Sequence, residues 1–134
     1  MIYLDTCIAI YLVEEHPSYH AQLEAALRGG ELISSISPLV EMECLVLPIK
    51  KQRDDLIAKF HQFFVAQRCL SMPEEVYRRA AELRARHNLK TPDALHLATA
   101  QYHNCTALWT NDDRLNNAAG SLAVNILARQ LNIT

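Results

Sequence analysis

Carboxylates at four places in this chain could act together on a metal ion: Asp5, Glu41 or Glu43, Asp93, and Asp112 beside Asp113. Asp and Glu oxygens are hard ligands that suit Mg²⁺ or Mn²⁺, and a set without His or Cys points away from zinc. Brought together without a cation, such groups repel one another. With one, they can hold a divalent ion that activates water and stabilises the charge built up when a phosphodiester is attacked.

Each carboxylate also has an ordinary reading. Asp5 ends the apolar run Ile2-Tyr3-Leu4 and precedes a helix-like stretch, so it could be an N-cap. Thr6 can take that cap instead and free Asp5. Asp112 and Asp113 follow Thr110-Asn111, a turn composition in which either could cap a short helix at Arg114-Leu115. Asp112 is nearer the strand end and is the site choice, with Asp113 in an outer position. Asp93 follows Thr91-Pro92, where the first helical turn favours an anion. Its neighbours Ala94, Leu95, Leu97 and Ala98 mark a helix buried almost all round. Glu41 and Glu43 are two positions apart, about 200° of helical rotation, so one of them is a solvated charge. Helical pattern alone leaves the choice open.

Alternating strands and helices must position these groups. The spacing predicts strands over 2–4, 32–36, 68–72, 106–110 and 122–127, the third of them weak. Helices are expected over 6–14, 18–28, 39–47, 52–65, 73–87 and 92–103. Gly29-Gly30 should close the second helix, Pro48 should interrupt or end the third, and Asn88 can close the helix from 73. Ser37-Pro38 and Thr91-Pro92 read as cap-then-proline helix starts. Such alternation implies parallel crossovers and a three-layer α/β/α fold, with a ligand crevice beyond the carboxyl ends of the strands. Asp5 and Asp112 each follow an apolar strand and would project there.

The 134 residues suit one domain, 1–134, with no repeat or linker. Net charge is −2, so any nucleic-acid contact must rest on a local patch, a partner or a metal. The cysteines Cys7, Cys44, Cys69 and Cys105 form no C-x-x-C pair and read as free thiols of a reducing cytoplasm. The first residues carry no basic leader region, and no apolar run approaches the roughly 18 residues of a membrane span. A cytoplasmic protein is expected.

The chain resembles the PIN-domain family, close to the VapC-type toxin ribonucleases of bacteria and archaea. The resemblance is carried by Tyr3-Leu4-Asp5-Thr6, by the stretch Ser37 to Cys44, by the stretch Thr91 to Ala100, and by Thr110 to Leu115, in that order. It implies a parallel sheet of about five strands and an acidic quartet of Asp5, Glu43, Asp93 and Asp112. Glu43 is preferred because Ser37, Leu39, Glu43 and Pro48 match the family's second motif; Glu41 remains the alternative. Thr6 and Thr110 resemble hydroxyl residues that orient the acids. The implied activity is Mg²⁺- or Mn²⁺-dependent endonucleolytic cleavage of RNA. The implied partners are a small antitoxin and a second copy of the chain. A stand-alone RNA-processing nuclease and a catalytically silent PIN-like module are the alternatives. A phospho-Asp enzyme of the dehalogenase type would want Asp-x-Asp, but position 7 is Cys.

His96 lies three residues after Asp93 and reads as a structural or substrate-contact group rather than a ligand. His16 and His20 read as surface residues. The basic runs Lys50-Lys51-Arg53 and Arg78 to Lys90 read as solvated faces, with phosphate contact the sharper reading. Phe60, Phe63, Phe64 and Trp109 are assigned to core or interface.

Overall fold

The apolar run after Met1 forms β1, Ile2–Leu4, which is buried at every position. A strand buried on both faces belongs in the middle of a parallel sheet, and β1 lies there. The computed structural model describes residues 1–29, 32–120 and 123–124. Along the chain follow α1 (Thr6–Val13), α2 (His20–Arg28), β2 (Ser34–Ile36), α3 (Pro38–Lys50), α4 (Asp54–Ala66) and β3 (Arg68–Cys69). Then come α5 (Glu74–His87), α6 (Thr91–Tyr102), β4 (Ala107–Trp109), α7 (Asp113–Ala119) and β5 (Ala123–Val124). The five strands take the order β3-β2-β1-β4-β5, and every pairing is parallel. This is the expected α/β fold with helices flanking one parallel sheet. The expected last strand, 122–127, falls within the described residues only at Ala123–Val124.

The order of strands creates the site. From β1 the chain moves outward to β2 and β3, then crosses back to place β4 on the other flank of β1. The carboxyl ends of β1 and β4 are therefore the switch point where the loops diverge and a crevice opens. Leu4 pairs with Trp109 at these ends, and the Asp5 N–H donates to the Trp109 carbonyl at 3.0 Å. That bond fixes the residues after β1 and β4 side by side.

Several local expectations are corrected. Asp5, not Thr6, is the N-cap of α1; its side chain accepts the Thr6 N–H, and Thr6 is already helical. Thr91 likewise opens α6 as a helical residue, and Lys90 holds the cap position without a side-chain cap bond. Pro48 does not end α3, which continues to Lys50. Proline removes one N–H and crowds the preceding turn, but this close to the helix end only one turn is affected. Ser37 is the N-cap of α3, yet its hydroxyl makes no cap bond. A serine cap normally contributes about 1 kcal/mol, so this hydroxyl is engaged elsewhere. Gly29 ends α2 with a right-handed φ of −75°, not in the left-handed form, and Gly30 lies outside the described residues. Asn88 does close α5 in the left-handed region, at φ 53°.

The core is apolar and continuous, with Tyr3, Leu4, Ile8, Leu23, Ile36, Phe60, Leu97 and Leu108 fully buried. Phe64 and Trp109 are buried with them and Phe63 packs at the edge, so these aromatics fill core positions. The buried positions of α6 run through Ala94, His96, Leu97, Ala98, Thr99 and Ala100, and α6 packs against α5. No helix among the described residues is long and apolar enough to cross a membrane.

Candidate active site

Asp5 is 6% exposed, which a carboxylate tolerates only when its oxygens are bonded. One oxygen, Oδ1, accepts the Thr6 N–H at 2.8 Å. The other, Oδ2, accepts the Thr110 hydroxyl at 2.7 Å and the Cys7 thiol at 3.6 Å. Thr110 is the residue after β4, so its hydroxyl ties the ends of the two central strands together. The same Thr110 oxygen accepts the Asp112 N–H at 3.0 Å and so sets the turn that carries Asp112. The Asp112 carboxylate accepts the Leu115 N–H at 3.1 Å and caps α7. Asp5 and Asp112 are therefore both helix caps and cavity-facing acids; the two readings are compatible because each carboxylate has further lone pairs.

Glu43 reaches the same place from α3. Its Oε1 accepts the Thr6 hydroxyl at 2.7 Å and bonds His96 Nε2 at 2.7 Å. Burial pushes its pKa up, but the hydrogen bonds from His96 and Thr6 outweigh it and hold Glu43 below its ordinary value. Glu41 points elsewhere, where its Oε2 accepts the exposed Cys69 thiol at 3.8 Å. Two positions of helical rotation separate these fates, as the pattern required.

Asp93 enters from the first turn of α6. Burial raises its pKa, and the charges of Asp112, Asp5 and Glu43 raise it further. No hydrogen bond among the described residues offsets this. Asp93 is thus the acid with most to gain from a cation.

Asp5, Glu43, Asp93 and Asp112 line one open cavity of about 340 Å³ with Thr6, Cys7, Tyr11, His96 and Asn111. No Lys or Arg is among these lining residues. Beside it lies a second cavity of about 410 Å³, lined by Lys90, Asp93, Asp112, Asp113 and Arg114. Asp113 thus sits in the outer position, and the two cavities share Asp93 and Asp112. Among the described residues no group of three or more His, Cys, Asp or Glu side chains is arranged so that it could hold a metal ion as it stands. Mg²⁺ needs only one or two carboxylates because it keeps several waters. The donor set fits such a hard cation.

The sequence pattern assigned His96 no partner, and it named Tyr3 only within a family motif and Ser37 only as a helix cap and motif residue, placing neither at the site. The His96 ring is 1% exposed. Its Nδ1 is 2.6 Å from the Tyr3 hydroxyl, which in turn is 2.7 Å from the Ser37 hydroxyl. A tyrosine within a buried strand, two positions before Asp5, was the available signal: its hydroxyl must find a partner. Tyr11 and Asn111 were also missed; the Asn111 amide donates to the Tyr11 hydroxyl at 3.3 Å. The cavity of about 510 Å³ along α5, lined by Arg78, Arg79 and Arg86, also contains Glu75 and Glu82 and is of mixed charge.

A family model described as PIN domain matches residues 2–121. No curated protein matches the chain significantly. Among solved structures, a toxin–antitoxin complex from Klebsiella pneumoniae superposes with a TM-score of 0.75 at 23% identity, covering 94% of this chain and 98% of that one. VapBC2 from Rickettsia felis, bound to a promoter DNA fragment, gives 0.75 at 23% identity, covering 92% and 98%. VapC20 from Mycobacterium tuberculosis, a toxin that cleaves the sarcin–ricin loop, gives 0.75 at 17% identity, covering 90% and 95%. At these identities the likeness establishes a common fold.

Proposed function

The chain belongs to the PIN domain family, and from that premise we propose that it is a divalent-cation-dependent endoribonuclease. In this reading it hydrolyses RNA phosphodiester bonds in the cytoplasm as the toxin of a toxin–antitoxin pair. The observation that carries the reading is the convergence of Asp5, Glu43, Asp93 and Asp112 on one cavity with no lining Lys or Arg. Of these acids Asp5 is buried, Glu43 and Asp93 are half-buried and Asp112 is exposed; like charges so placed repel one another, and a cation between them relieves that repulsion.

Asp5, Asp93 and Asp112 would hold Mg²⁺ or Mn²⁺. A bound divalent cation supplies Lewis acidity toward a phosphoryl oxygen and lowers the pKa of water. Thr110 and the Thr6 N–H fix the Asp5 carboxylate in one orientation, and both described bonds to Glu43 fall on Oε1. That leaves Glu43 Oε2 to accept a proton from water or to orient it for in-line attack. Lys90 and Arg114, beside Asp113 in the adjoining cavity, supply positive charge next to an otherwise acidic site.

The complexes that share this fold support a small antitoxin as the protein partner, and a second copy of the chain completes the proposed assembly. The test is cleavage of RNA with Mg²⁺ or Mn²⁺ against an EDTA control, with the new ends identified. Hydrolysis leaves a 5′-phosphate and a 3′-hydroxyl. A 2′,3′-cyclic phosphate, or full activity in EDTA, would defeat the proposal.

A further inference from the structure

Behind Glu43 runs a buried line of side chains: Ser37 and Tyr3 at 2.7 Å, Tyr3 and His96 at 2.6 Å, His96 and Glu43 at 2.7 Å. Ser37, Tyr3 and His96 are all shut off from solvent. Each hydroxyl could donate in either direction, and the ring could exist in either tautomer. The ends of the line settle its direction. Glu43 Oε1 already accepts the Thr6 hydroxyl and acts as an acceptor at this end, so the 2.7 Å bond takes its proton from His96 Nε2. If Nδ1 carried one too, Tyr3 would accept it and donate to Ser37, and the Ser37 proton would have no acceptor among the described residues. In the other direction every proton is used: Ser37 donates to Tyr3, Tyr3 donates to Nδ1, and Nε2–H donates to Glu43. The Ser37 hydroxyl also forgoes its cap bond on α3 to make this contact. The line therefore begins at the N-terminus of the helix that carries Glu43 and returns to Glu43 through a strand and a second helix.

We propose that His96 is a positioning residue for Glu43, its ring held by the Ser37–Tyr3 pair so that Nε2–H points at Glu43 Oε1 at 2.7 Å, nearer than Thr6 Oγ1 at 3.3 Å or Asp5 Oδ1 at 3.7 Å. The bond on one ring nitrogen fixes what the other can do. This pins Oε1 and turns Oε2 toward the work proposed for it. The inference rests on the nuclease reading for its purpose, but not for its geometry.

Two measurements test it. Long-range ¹H–¹⁵N NMR of the cation-free protein reads ring protonation directly. His96 should show a protonated Nε2 and a bare Nδ1, and Tyr3→Phe should shift the ring toward a tautomer mixture. A protonated Nδ1 in the unsubstituted protein, or an unchanged ring in Tyr3→Phe, overturns the assignment. The second measurement compares His96→Leu with His96→Gln, whose amide can donate from about the same place. Outer partners of this kind typically change metal affinity or activity by about 10–100-fold. His96→Leu should weaken Mn²⁺ binding, read by electron paramagnetic resonance, within that range and lower kcat more than KM. His96→Gln should recover most of both losses. Equal losses in the two variants, with native circular dichroism in each, would mean that the ring only fills space and would overturn the proposal. If the unsubstituted protein neither binds Mn²⁺ nor cleaves RNA, the nuclease reading fails, while the NMR result still decides the tautomer.

Discussion

Glu43 and His96 are 53 positions apart in sequence and 2.7 Å apart in space, from Oε1 to Nε2. The contact joins α3 to α6 in the wall of the cavity. It separates Glu43 from Glu41, which faces Cys69. Glu43→Gln should therefore lower RNA cleavage at least about 10-fold, the lower end for groups that tune a metal site. Glu41→Gln should leave cleavage unchanged and stability within about ±0.5 kcal/mol, as for most surface substitutions. Side-by-side assays decide this; equal losses in both variants would remove Glu43 from the site.

Asp5→Asn keeps one oxygen to accept the Thr6 N–H but puts an NH2 group in the place of Oδ2, so the Thr110 hydroxyl must turn and accept there, and the charge is lost. The fold should persist, with native circular dichroism and a melting temperature within a few degrees. Cleavage should fall by more than about 100-fold, beyond the usual effect of an outer partner. An active Asp5→Asn protein would take Asp5 out of the centre of the site.

Asp93 is the acid whose ionised form is disfavoured, by burial first and then by the charges of Asp112 and Asp5. Asp93→Asn should raise the melting temperature of the cation-free protein, since 1 kcal/mol corresponds to roughly 2–8 °C in domains of this size class. The same change should shrink the stabilisation that Mn²⁺ gives the unsubstituted protein, which would reach about 2.7 kcal/mol at 100 times Kd. Thermal melts with EDTA and with Mn²⁺ measure both. Unchanged melting in EDTA together with an undiminished Mn²⁺ effect would contradict this account of Asp93.

The same group gives a pH dependence of known sign. The folded-state pKa of Asp93 lies above its ordinary value of 3.8, so between the two the folded chain holds more protons than the unfolded one. Stability then falls as pH rises through that window. Glu43 acts oppositely: its folded-state pKa lies below 4.5, so its contribution is present above 4.5 and lost as pH falls through the folded value. Urea unfolding across acidic pH, in the absence of divalent cations, should show the Asp93 slope disappear in Asp93→Asn. Parallel stability curves for the two proteins would rule out a raised Asp93.

Thiol labelling should follow burial. Burial, followed by the charges of nearby acids, pushes Cys7 and Cys44 up to about 12, which leaves little thiolate at neutral pH. Cys69 is exposed, although burial of its thiol and the Glu41 charge raise it too. Iodoacetamide should label Cys69 first and slowly, as read by mass spectrometry of peptides. Prompt labelling of Cys7 would contradict a thiol bonded to Asp5 at the cavity wall.

The sequence by itself determined the order of elements, the parallel sheet and the candidate acids. Strand and helix periods are local, and so are the stops at Asp5 and Asn88. Local pattern failed where a side chain's partner lies far along the chain. Thr6 looked free to cap α1, but its hydroxyl is drawn to Glu43. Ser37 looked like the cap of α3, but its hydroxyl is drawn to Tyr3. Pro48 looked like a stop, yet α3 carries on for two more residues. Only the tertiary structure decided these matters. Placing β4 beside β1 brings Thr110 within 2.7 Å of Asp5, and burying the ring of His96 on α6 brings it to Glu43 on α3. A buried polar group must be satisfied by whatever the fold sets next to it, and those neighbours are chosen by strand order, not by sequence spacing.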